Sequence, residues 1–513
     1  MRGERLVETA QAVALPVLFA LSPILYLFQL NQADLSSSVV WGPLAISAAT
    51  GAAVFAISWI VSRRALKAGL LTSILVVAFF YYGVFDDVVT AWGLDESIFL
   101  GLWTALVFLG VAGWFRTSDP GNLGRLLFVV AAFLVLASVA KIALFRLQNP
   151  PVSPSDPRLW SSALGQPVLT RGEPLPDIYY IVPDDYARTD VLKEYLGYDN
   201  SLFIRELESR GFVIPEQGRS PYSDSESNMA SALNLDYLNR FGIVLGTNSE
   251  NALIVTQVLE DNRASRFLEA LGYRYIHIDS DNTTFPGDNP AISPIAAPDN
   301  LTYLWLRASI LRTFGGELGF SNDASDERFR RSVLEAFDRL NGVPEIPGPK
   351  FVFFHTLIPH DPYVFGPQGE GVRFPDPSDD RFGSMEGIAF YVDQLRFSSQ
   401  LLLESVDRIL AHSESPPVII LQSDEGFQTN PETFAEEVML DIRVKGLSAF
   451  YLPDKVVSRL PQNLNNVNTF RYLFDLYFGT QLGMLRNASY GEGGYPYQPV
   501  ELHVMGDPTP DGP

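Results

Sequence analysis

PVIILQSDEG, residues 417–426, is the segment in which an unbroken apolar run meets two consecutive acidic residues, Asp424 and Glu425. A short aliphatic run with no polar interruption is typical of a buried strand in a parallel sheet. Side chains that directly follow such a strand lie at its carboxyl end, where open α/β sheets bind their ligands. The segment therefore predicts an α/β domain with a ligand site after this strand.

Further strands are predicted at 177–182, 273–278 and 350–356, where similar apolar runs occur. Helical patterns lie between and after them, at 201–210, 225–238, 264–271, 387–411 and 467–478. Strands that alternate with helices indicate a mostly parallel central sheet with helices on both faces.

The charge of the chain is unevenly distributed. The first 150 residues contain 9 Lys and Arg against 8 Asp and Glu, a net of +1, so the overall net charge of −22 leaves −23 for residues 151–513. Nucleic-acid binding needs a basic surface, and we therefore predict no nucleic-acid partner. The chain contains no cysteine, which excludes disulfides, zinc–thiolate sites and a cysteine nucleophile.

Five apolar runs precede the α/β pattern, at 10–30, 39–61, 68–85, 98–115 and 126–145. Each is close to the ~20 residues that cross a hydrocarbon core, so they predict a multi-pass α-helical membrane domain. Basic residues in the alternate loops, among them Arg63, Arg64 and Lys67, place the N-terminus in the cytoplasm. Five crossings then put the α/β domain outside the cell membrane.

The predicted organisation has four parts. A five-helix transmembrane domain spans 1–147, a Pro- and Ser-rich linker 148–176, an extracytoplasmic α/β domain 177–505 and a disordered tail 506–513.

Three predicted strands end in residues that suit a metal ion. Asp184 follows the first strand, His355 and His360 lie at and after the third, and Asp424 with Glu425 follows the fourth. Oxygen and imidazole ligands from adjacent strand ends are the arrangement that a metal site needs. Each residue also has an ordinary alternative, as a turn-forming aspartate or a core histidine.

A candidate nucleophile lies in the polar loop GRSPYSDSESN, residues 218–228, which enters a predicted helix. A hydroxyl at a helix N-terminus is helped toward its alkoxide by the unpaired N–H groups there. The alternative is structural: Ser223 with Glu226 forms a capping box, and Ser225 could be an ordinary cap.

Segments in this order resemble the sulfatase-like members of the alkaline phosphatase superfamily: IVPDDYAR at 181–188, the serine loop leading into NLDYL at 234–238, HTLIPHDPY at 355–363, IILQSD at 419–424 and VNTFR at 467–471. With membrane helices in front, the chain is similar to membrane-anchored phosphoglycerol and phosphoethanolamine transferases. The resemblance implies an alkaline phosphatase/sulfatase-like fold that carries one or two divalent metals and a metal-activated nucleophile.

Carried over by position, the resemblance makes Asp184, Ser225, Asp424 and Glu425 the metal ligands. Ser225 would also be the nucleophile, with Ser223 or Ser227 as alternatives. His360 would bind substrate or protonate the leaving group, and His355 would belong to the same substrate pocket.

The chain departs from the superfamily pattern in three ways. The candidate nucleophile is Ser225, whereas the transferases usually have Thr. The chain lacks the Cys or Ser, with Pro two places on and Arg four places on, that formylglycine sulfatases need. Glu425 also stands where a histidine ligand usually follows the aspartate. An oxygen-rich ligand set favours Mn²⁺, Mg²⁺ or Ca²⁺ over Zn²⁺.

Two functions are compatible with these features. The first is a membrane-anchored, metal-dependent phosphotransferase or phosphodiester hydrolase that acts on envelope lipid or polymer. The second is a non-catalytic sulfatase-like envelope protein that keeps the fold to bind polymer or a partner, which the substitution at Glu425 would explain.

Overall fold

The computed structural model describes residues 2–502 except 94, 118–120, 165–174, 281–299, 315–321, 374–384, 430–432, 454–459, 492–496 and 499. The chain forms two compact units. The first unit contains Met1–Pro151 and Ala297–Ser325, and the second contains Val152–Ala296 and Asp326–Pro513. The predicted boundaries at 147, 176 and 505 stay predictions, and the tail from 506 lies outside the described residues.

The first unit is helical. Its helices are α1 (Arg2–Leu30), α2 (Trp41–Ser62), α3 (Ala65–Phe80), α4 (Tyr82–Thr90), α5 (Glu96–Arg116) and α6 (Gly121–Gln148), joined by the later α13 (Asn300–Ala308). Among the described residues, four of these are long and apolar enough to cross a membrane. The bent pair α3 and α4, which contains the third predicted run, makes a fifth if it counts as one span. The prediction of a multi-pass helical membrane domain is therefore confirmed.

Helix α13 was not expected in this unit, because in sequence it lies between two elements of the α/β unit. Leu301 and Trp305 are buried in the apolar core of the membrane helices, where Trp305 stacks on Phe80 with ring centroids 5.6 Å apart. Just after the helix, Arg312 pairs with Asp86 at 3.3 Å and with a neighbouring aspartate, Asp87, at 2.7 Å. Residues 300–314 are thus a fixed part of the first unit.

The second unit is built on a five-stranded sheet. In the order of the sheet the strands are β2 (Arg274–Asp279), β3 (Lys350–Thr356), β1 (Ile178–Pro183), β4 (Val418–Gln422) and β5 (Ser448–Tyr451). The first four are parallel to one another, and β5 pairs antiparallel with β4. A separate two-stranded sheet consists of β6 (Tyr490–Gly491) and β7 (Val500–Glu501).

Helices cover both faces of the sheet, because successive side chains of each buried strand point to opposite sides. Along β1, Tyr180 packs in one apolar core while Tyr179 and Ile181 pack in the other. The helices of the first core are α9 (Ser225–Asn234), α11 (Leu253–Glu260), α12 (Arg263–Ala270) and α17 (Thr469–Phe478), with the short α10 (Phe241–Leu245) beside them. Those of the second core are α7 (Thr189–Glu194), α8 (Ser201–Ser209), α14 (Asn322–Gly342), α15 (Met385–His412) and α16 (Glu436–Arg443).

The predicted α/β fold with a mostly parallel sheet is confirmed, and the four predicted strands are present within one residue of their predicted starts and ends. Two elements next to β4 were not predicted: the antiparallel edge strand β5 and the helix α16. The loop after β4 and the end of α16 lie in close backbone contact, since the Gly426 amide donates to the Arg443 carbonyl at 2.6 Å.

This close backbone contact leaves no room for a side chain at Gly426. A Cβ added there would lie 2.1 Å from the carbonyl oxygen of Ile442 and 2.8 Å from that of Lys445. Because backbone cannot yield as a side chain can, we expect Gly426→Ala to lower the free energy of unfolding by about 2–4 kcal/mol. Thermal unfolding of the full-length protein in detergent measures the effect. Gly342→Ala, at the end of α14 where the added Cβ meets nothing within 4 Å, is the matched control. Equal losses in the two variants would contradict the steric explanation.

Candidate metal centre

The carboxyl ends of three adjacent parallel strands converge on one buried site. Strand β1 lies between β3 and β4, and Val182 is in register with His355 of β3. The amide of Asp184, the residue after β1, donates to the carbonyl of Thr356 at 2.9 Å. Asp184 and His355 are therefore placed side by side by the sheet itself.

Ser423 ties the end of β4 to the end of β1. Its Oγ accepts from the amide of Tyr186 at 2.9 Å and lies 2.8 Å from the carbonyl oxygen of Pro183. The side-chain amide of Asn466, just before α17, donates to the Ser423 carbonyl at 2.9 Å. These contacts hold the next residue, Asp424, against the residues that follow β1.

Asp424 presents one oxygen to the site. Its Oδ1 accepts from the amides of Glu425 at 2.8 Å and Asp185 at 3.3 Å. Its Oδ2 is buried and has no hydrogen-bond partner among the described residues. A buried carboxylate oxygen without a partner is costly, and coordination of a cation would satisfy it.

Asp184, His355 and Asp424 form the group best suited to a metal ion. One ligand atom from each lies within 4.8 Å of the others. His355 has Nε2 3.5 Å from Oδ2 of Asp184 and Nδ1 3.3 Å from Oδ2 of Asp279, the last residue of β2. A carboxylate behind a histidine is the usual support of a histidine metal ligand, because it fixes the orientation of the ring.

Ser225 lies beside this group, at the first residue of α9. The cap of the helix is Asp224, whose side chain accepts from the amide of Ser227 at 2.8 Å. Capping therefore does not use the hydroxyl of Ser225, which instead donates to Oε1 of Glu425 at 2.8 Å and lies 3.5 Å from Oδ1 of Asp184.

Glu425 is fully buried and shares its Oε1 between two donors, the Ser225 hydroxyl and Nη2 of Arg443. Its Oε2 has no partner among the described residues. Among these residues, the groups whose ligand atoms approach within 4.8 Å do not include Glu425, which lies next to them as the acceptor of Ser225.

His360 lies at the edge of the site and belongs to a second such group, with Asp184 and Asp185. Its Nε2 is 3.9 Å from Oδ2 of Asp185, and its Nδ1 is 2.7 Å from the carbonyl oxygen of Asp361. The exposed fraction of the His360 side chain is 23%, so among the site histidines it is the one that a substrate can reach from solvent.

Burial dominates the electrostatics of the site. It raises the pKa of Asp424 to about 7 and that of Asp185 to about 6, and it raises the pKa of Glu425 well above its usual value despite Arg443. Burial alone would also raise the pKa of Asp184, but His360 and His355 lower it below its usual value. The same burial opposes protonation of His360, yet Asp185 and Asp184 raise its pKa well above the usual range. So much buried negative charge favours a positive ion.

The residues present fit a divalent cation. Two carboxylates and an imidazole converge, and a hydroxyl is adjacent. One of the carboxylate oxygens has no hydrogen-bond partner among the residues that the structure describes. Oxygen donors suit Mg²⁺, Ca²⁺ and Mn²⁺, whereas the imidazole also suits Zn²⁺, so this donor set does not exclude Zn²⁺.

All six residues predicted from the sequence lie in or beside this site. His355, predicted to contact substrate, is placed among the candidate ligands, and Glu425, predicted to be a ligand, is placed between Ser225 and Arg443. Sequence reasoning missed Asp279 and Arg443. Asp279 directly follows the predicted strand 273–278, so the strand-end rule could have identified it. Arg443 ends a helix that no pattern predicted.

No family model matches the chain, and no curated protein matches it. Among solved structures it is similar to the C-terminal periplasmic domain of EcEptC from Escherichia coli in complex with Zn, with 11% identity, a TM-score of 0.44 and coverage of 66% of this chain and 96% of that one. It is also similar to the integral membrane protein lipooligosaccharide phosphoethanolamine transferase A from Neisseria meningitidis, with 10% identity, a TM-score of 0.41 and coverage of 91% and 95%.

A putative sulfatase from Bacteroides thetaiotaomicron is similar at 15% identity and a TM-score of 0.39, with coverage of 63% of this chain and 79% of that one. Phosphoethanolamine transferases and sulfatases are the proteins that the sequence resemblance named. Likeness at this level does not establish chemistry, which depends on the residues of the site itself.

Proposed function

We propose that this protein is a membrane-anchored, metal-dependent phosphotransferase or phosphodiester hydrolase with Ser225 as nucleophile. The observation that carries the proposal is the position of the Ser225 hydroxyl, which lies 3.5 Å from Asp184 and 2.8 Å from Glu425 beside the unpartnered oxygen of Asp424. A hydroxyl placed at a candidate metal group and at a helix N-terminus is suited to attack phosphorus.

The cation would be held by Asp184, His355 and Asp424, with Mn²⁺, Mg²⁺ or Ca²⁺ favoured by the oxygen donors. When bound, a divalent cation lowers the pKa of a nearby hydroxyl and offsets the charge of phosphoryl oxygens. Asp279 would keep the His355 ring in its orientation.

The side chains of Ser225, Glu425 and His360 carry out the steps of the proposed reaction. The Ser225 hydroxyl already donates to Glu425, so its proton has a carboxylate to move to as Oγ forms a bond to phosphorus. The phosphorus–oxygen bond to the leaving group then breaks, and His360 at the rim gives that oxygen a proton. The phosphoserine that remains passes its phosphoryl group to water or to an acceptor hydroxyl, which restores Ser225.

The substrate class is proposed from the location of the chain. A unit with several apolar helices holds the protein in a membrane, so a phosphodiester of envelope lipid or polymer is the substrate at hand. The α/β unit would lie on the outer side of the cell membrane, as the loop charges predict.

One contact favours the alternative, a non-catalytic protein that binds polymer or a partner. Arg443 already compensates Glu425, which would leave a site that is stable without an ion. The two functions differ in whether the protein binds a divalent cation and turns over a phosphodiester.

Replacing the nucleophile separates these functions. We expect Ser225→Ala to lower turnover of bis(p-nitrophenyl) phosphate by about 10³-fold or more, because no other group forms the covalent intermediate. The peptide that contains Ser225 should also carry a phosphoryl group in mass spectra of the reacting wild type. Ser227→Ala, two residues along α9, is the matched control and should retain activity. Loss in Ser227→Ala or Ser223→Ala with retention in Ser225→Ala would contradict the assignment, and no turnover and no metal binding in the wild type would leave the non-catalytic alternative.

The contact between Asp279 and His355 gives a test of the ligand set that does not need a substrate. Asp279→Asn should weaken Mn²⁺ or Zn²⁺ binding by about 10- to 100-fold, because the ring loses the carboxylate that orients it. Isothermal titration calorimetry of the full-length protein measures this change. Asp393→Asn, a surface carboxylate of α15, is the control and should leave the affinity unchanged. Unchanged affinity in both variants would remove His355 from the ligand set.

Acidity should also weaken metal binding. Burial raises the pKa of Asp424 to about 7, so below that pH a cation must displace a proton from this carboxylate. Burial opposes protonation of His355, but Asp279 and Asp184 raise its pKa well above the usual value, so a cation must displace a proton from this ring as well. We therefore expect the dissociation constant for Mn²⁺ to rise as the pH falls, most steeply below about pH 7, by up to about tenfold per pH unit for each displaced proton. Calorimetric titrations at several pH values test the direction, and tighter binding at low pH would contradict the ligand assignment.

A further inference from the structure

Arg443 is a partly buried cation within the site, and the mechanism above assigns it no role. Its Nη1 donates to Oδ1 of Asp185 at 2.5 Å and to the carbonyl of Gly426 at 3.2 Å. Its Nη2 donates to Glu425, and its Nε donates to the carbonyl of Ser223 at 3.2 Å. These contacts use four of the five N–H donors of a guanidinium. The side chain is therefore fixed between two strand ends and the loop that carries the candidate nucleophile.

The ligand atoms around Arg443 outline two neighbouring cation positions. One is the group Asp184, His355 and Asp424, and the other is Asp184, Asp185 and His360. Because both contain Asp184, they are adjacent, as the positions of a two-metal site would be.

The two cation positions differ in whether their carboxylates already have hydrogen-bond or charge partners. In the first, Oδ2 of Asp424 has no hydrogen-bond partner among the described residues. In the second, Asp185 has Oδ1 on the Arg443 guanidinium and Oδ2 3.9 Å from Nε2 of His360. A second metal ion on Asp185 would be repelled by the guanidinium that is already hydrogen-bonded to the same carboxylate.

We infer that Arg443 takes the place of a second divalent cation, so that the centre binds one metal ion at Asp184, His355 and Asp424 beside a built-in guanidinium. The inference rests on the proposed metal-dependent function and adds the number of ions and the reason for it. Arg443 suits this role because a guanidinium stays charged at any physiological pH and holds two carboxylates in fixed geometry. It is a positioning residue, since it touches Glu425 and the backbone of Ser223 rather than the reacting hydroxyl.

The test is the metal content of the full-length protein in detergent after saturation with Mn²⁺ and gel filtration, measured by inductively coupled plasma mass spectrometry. We expect one Mn²⁺ per chain in the wild type and in Arg443→Lys, which keeps the positive charge. Arg443→Met frees Asp185 and should bind two. Electron paramagnetic resonance gives a second readout, because two adjacent Mn²⁺ ions couple magnetically whereas a single ion shows an isolated six-line spectrum.

Arg443→Met leaves two buried carboxylates without their guanidinium partner and could fail to fold, so a double variant is tested beside it. Arg443→Gln with Glu425→Gln removes charge from both partners and leaves Asp184, Asp185 and His360 intact, and it should also bind two ions. Two ions in the wild type, or one ion in folded Arg443→Met and in the folded double variant, would overturn the inference while leaving metal dependence in place. No bound ion in the wild type would instead overturn the proposed function itself.

Discussion

Four carboxylates converge where β1 and β4 end, and each is almost completely removed from water: Asp184, Asp185, Asp424 and Glu425 have between 0 and 3% of their surface exposed. Buried charge of one sign is stable only if positive groups or protons compensate it. The structure around the site can be understood as that compensation. Arg443 pairs with Asp185 and Glu425, and backbone amides donate to Asp424. His355 lies against Asp184, and His360 lies near Asp185. Within the part of the chain that the structure describes, one oxygen each of Asp424 and Glu425 has no hydrogen-bond partner, and a cation would satisfy them.

The topology of the sheet is what brings these groups together. Strands β1, β3 and β4 are far apart in sequence but adjacent in space, and all three run in the same direction. Each needs only one or two polar residues at its end for the site to form. This explains why an apolar run followed by an acidic residue was informative in the sequence. Asp184, His355 and Asp424 could be predicted because their positions depend on local patterns and on one general property of parallel sheets.

Other parts of the site depend on contacts that leave no local trace. Arg443 ends a short helix whose position is set by packing against the loop after β4, and a lone arginine in an acidic chain gives no periodic signal. The roles of Glu425 and His355 were likewise open in the sequence, since strand-end residues can face a metal, a substrate or each other. The distances decide between these roles: the His355 ring faces Asp184 and Asp279, whereas Glu425 faces Ser225 and Arg443. The helix α13 was missed for a related reason, because its apolar residues indicate burial but not the unit in which they are buried.

Residues 300–314 also bear on how the protein can be divided. The chain of the α/β unit leaves its sheet after β2, contributes Leu301, Trp305 and Arg312 to the helical unit, and returns at α14. A fragment cut after residue 151 would keep this segment without the apolar surface that buries it. Such a fragment would expose an apolar patch to solvent, which promotes aggregation. Soluble preparations of the α/β unit therefore need residues 300–314 shortened or made polar, even though the membrane helices themselves have been removed.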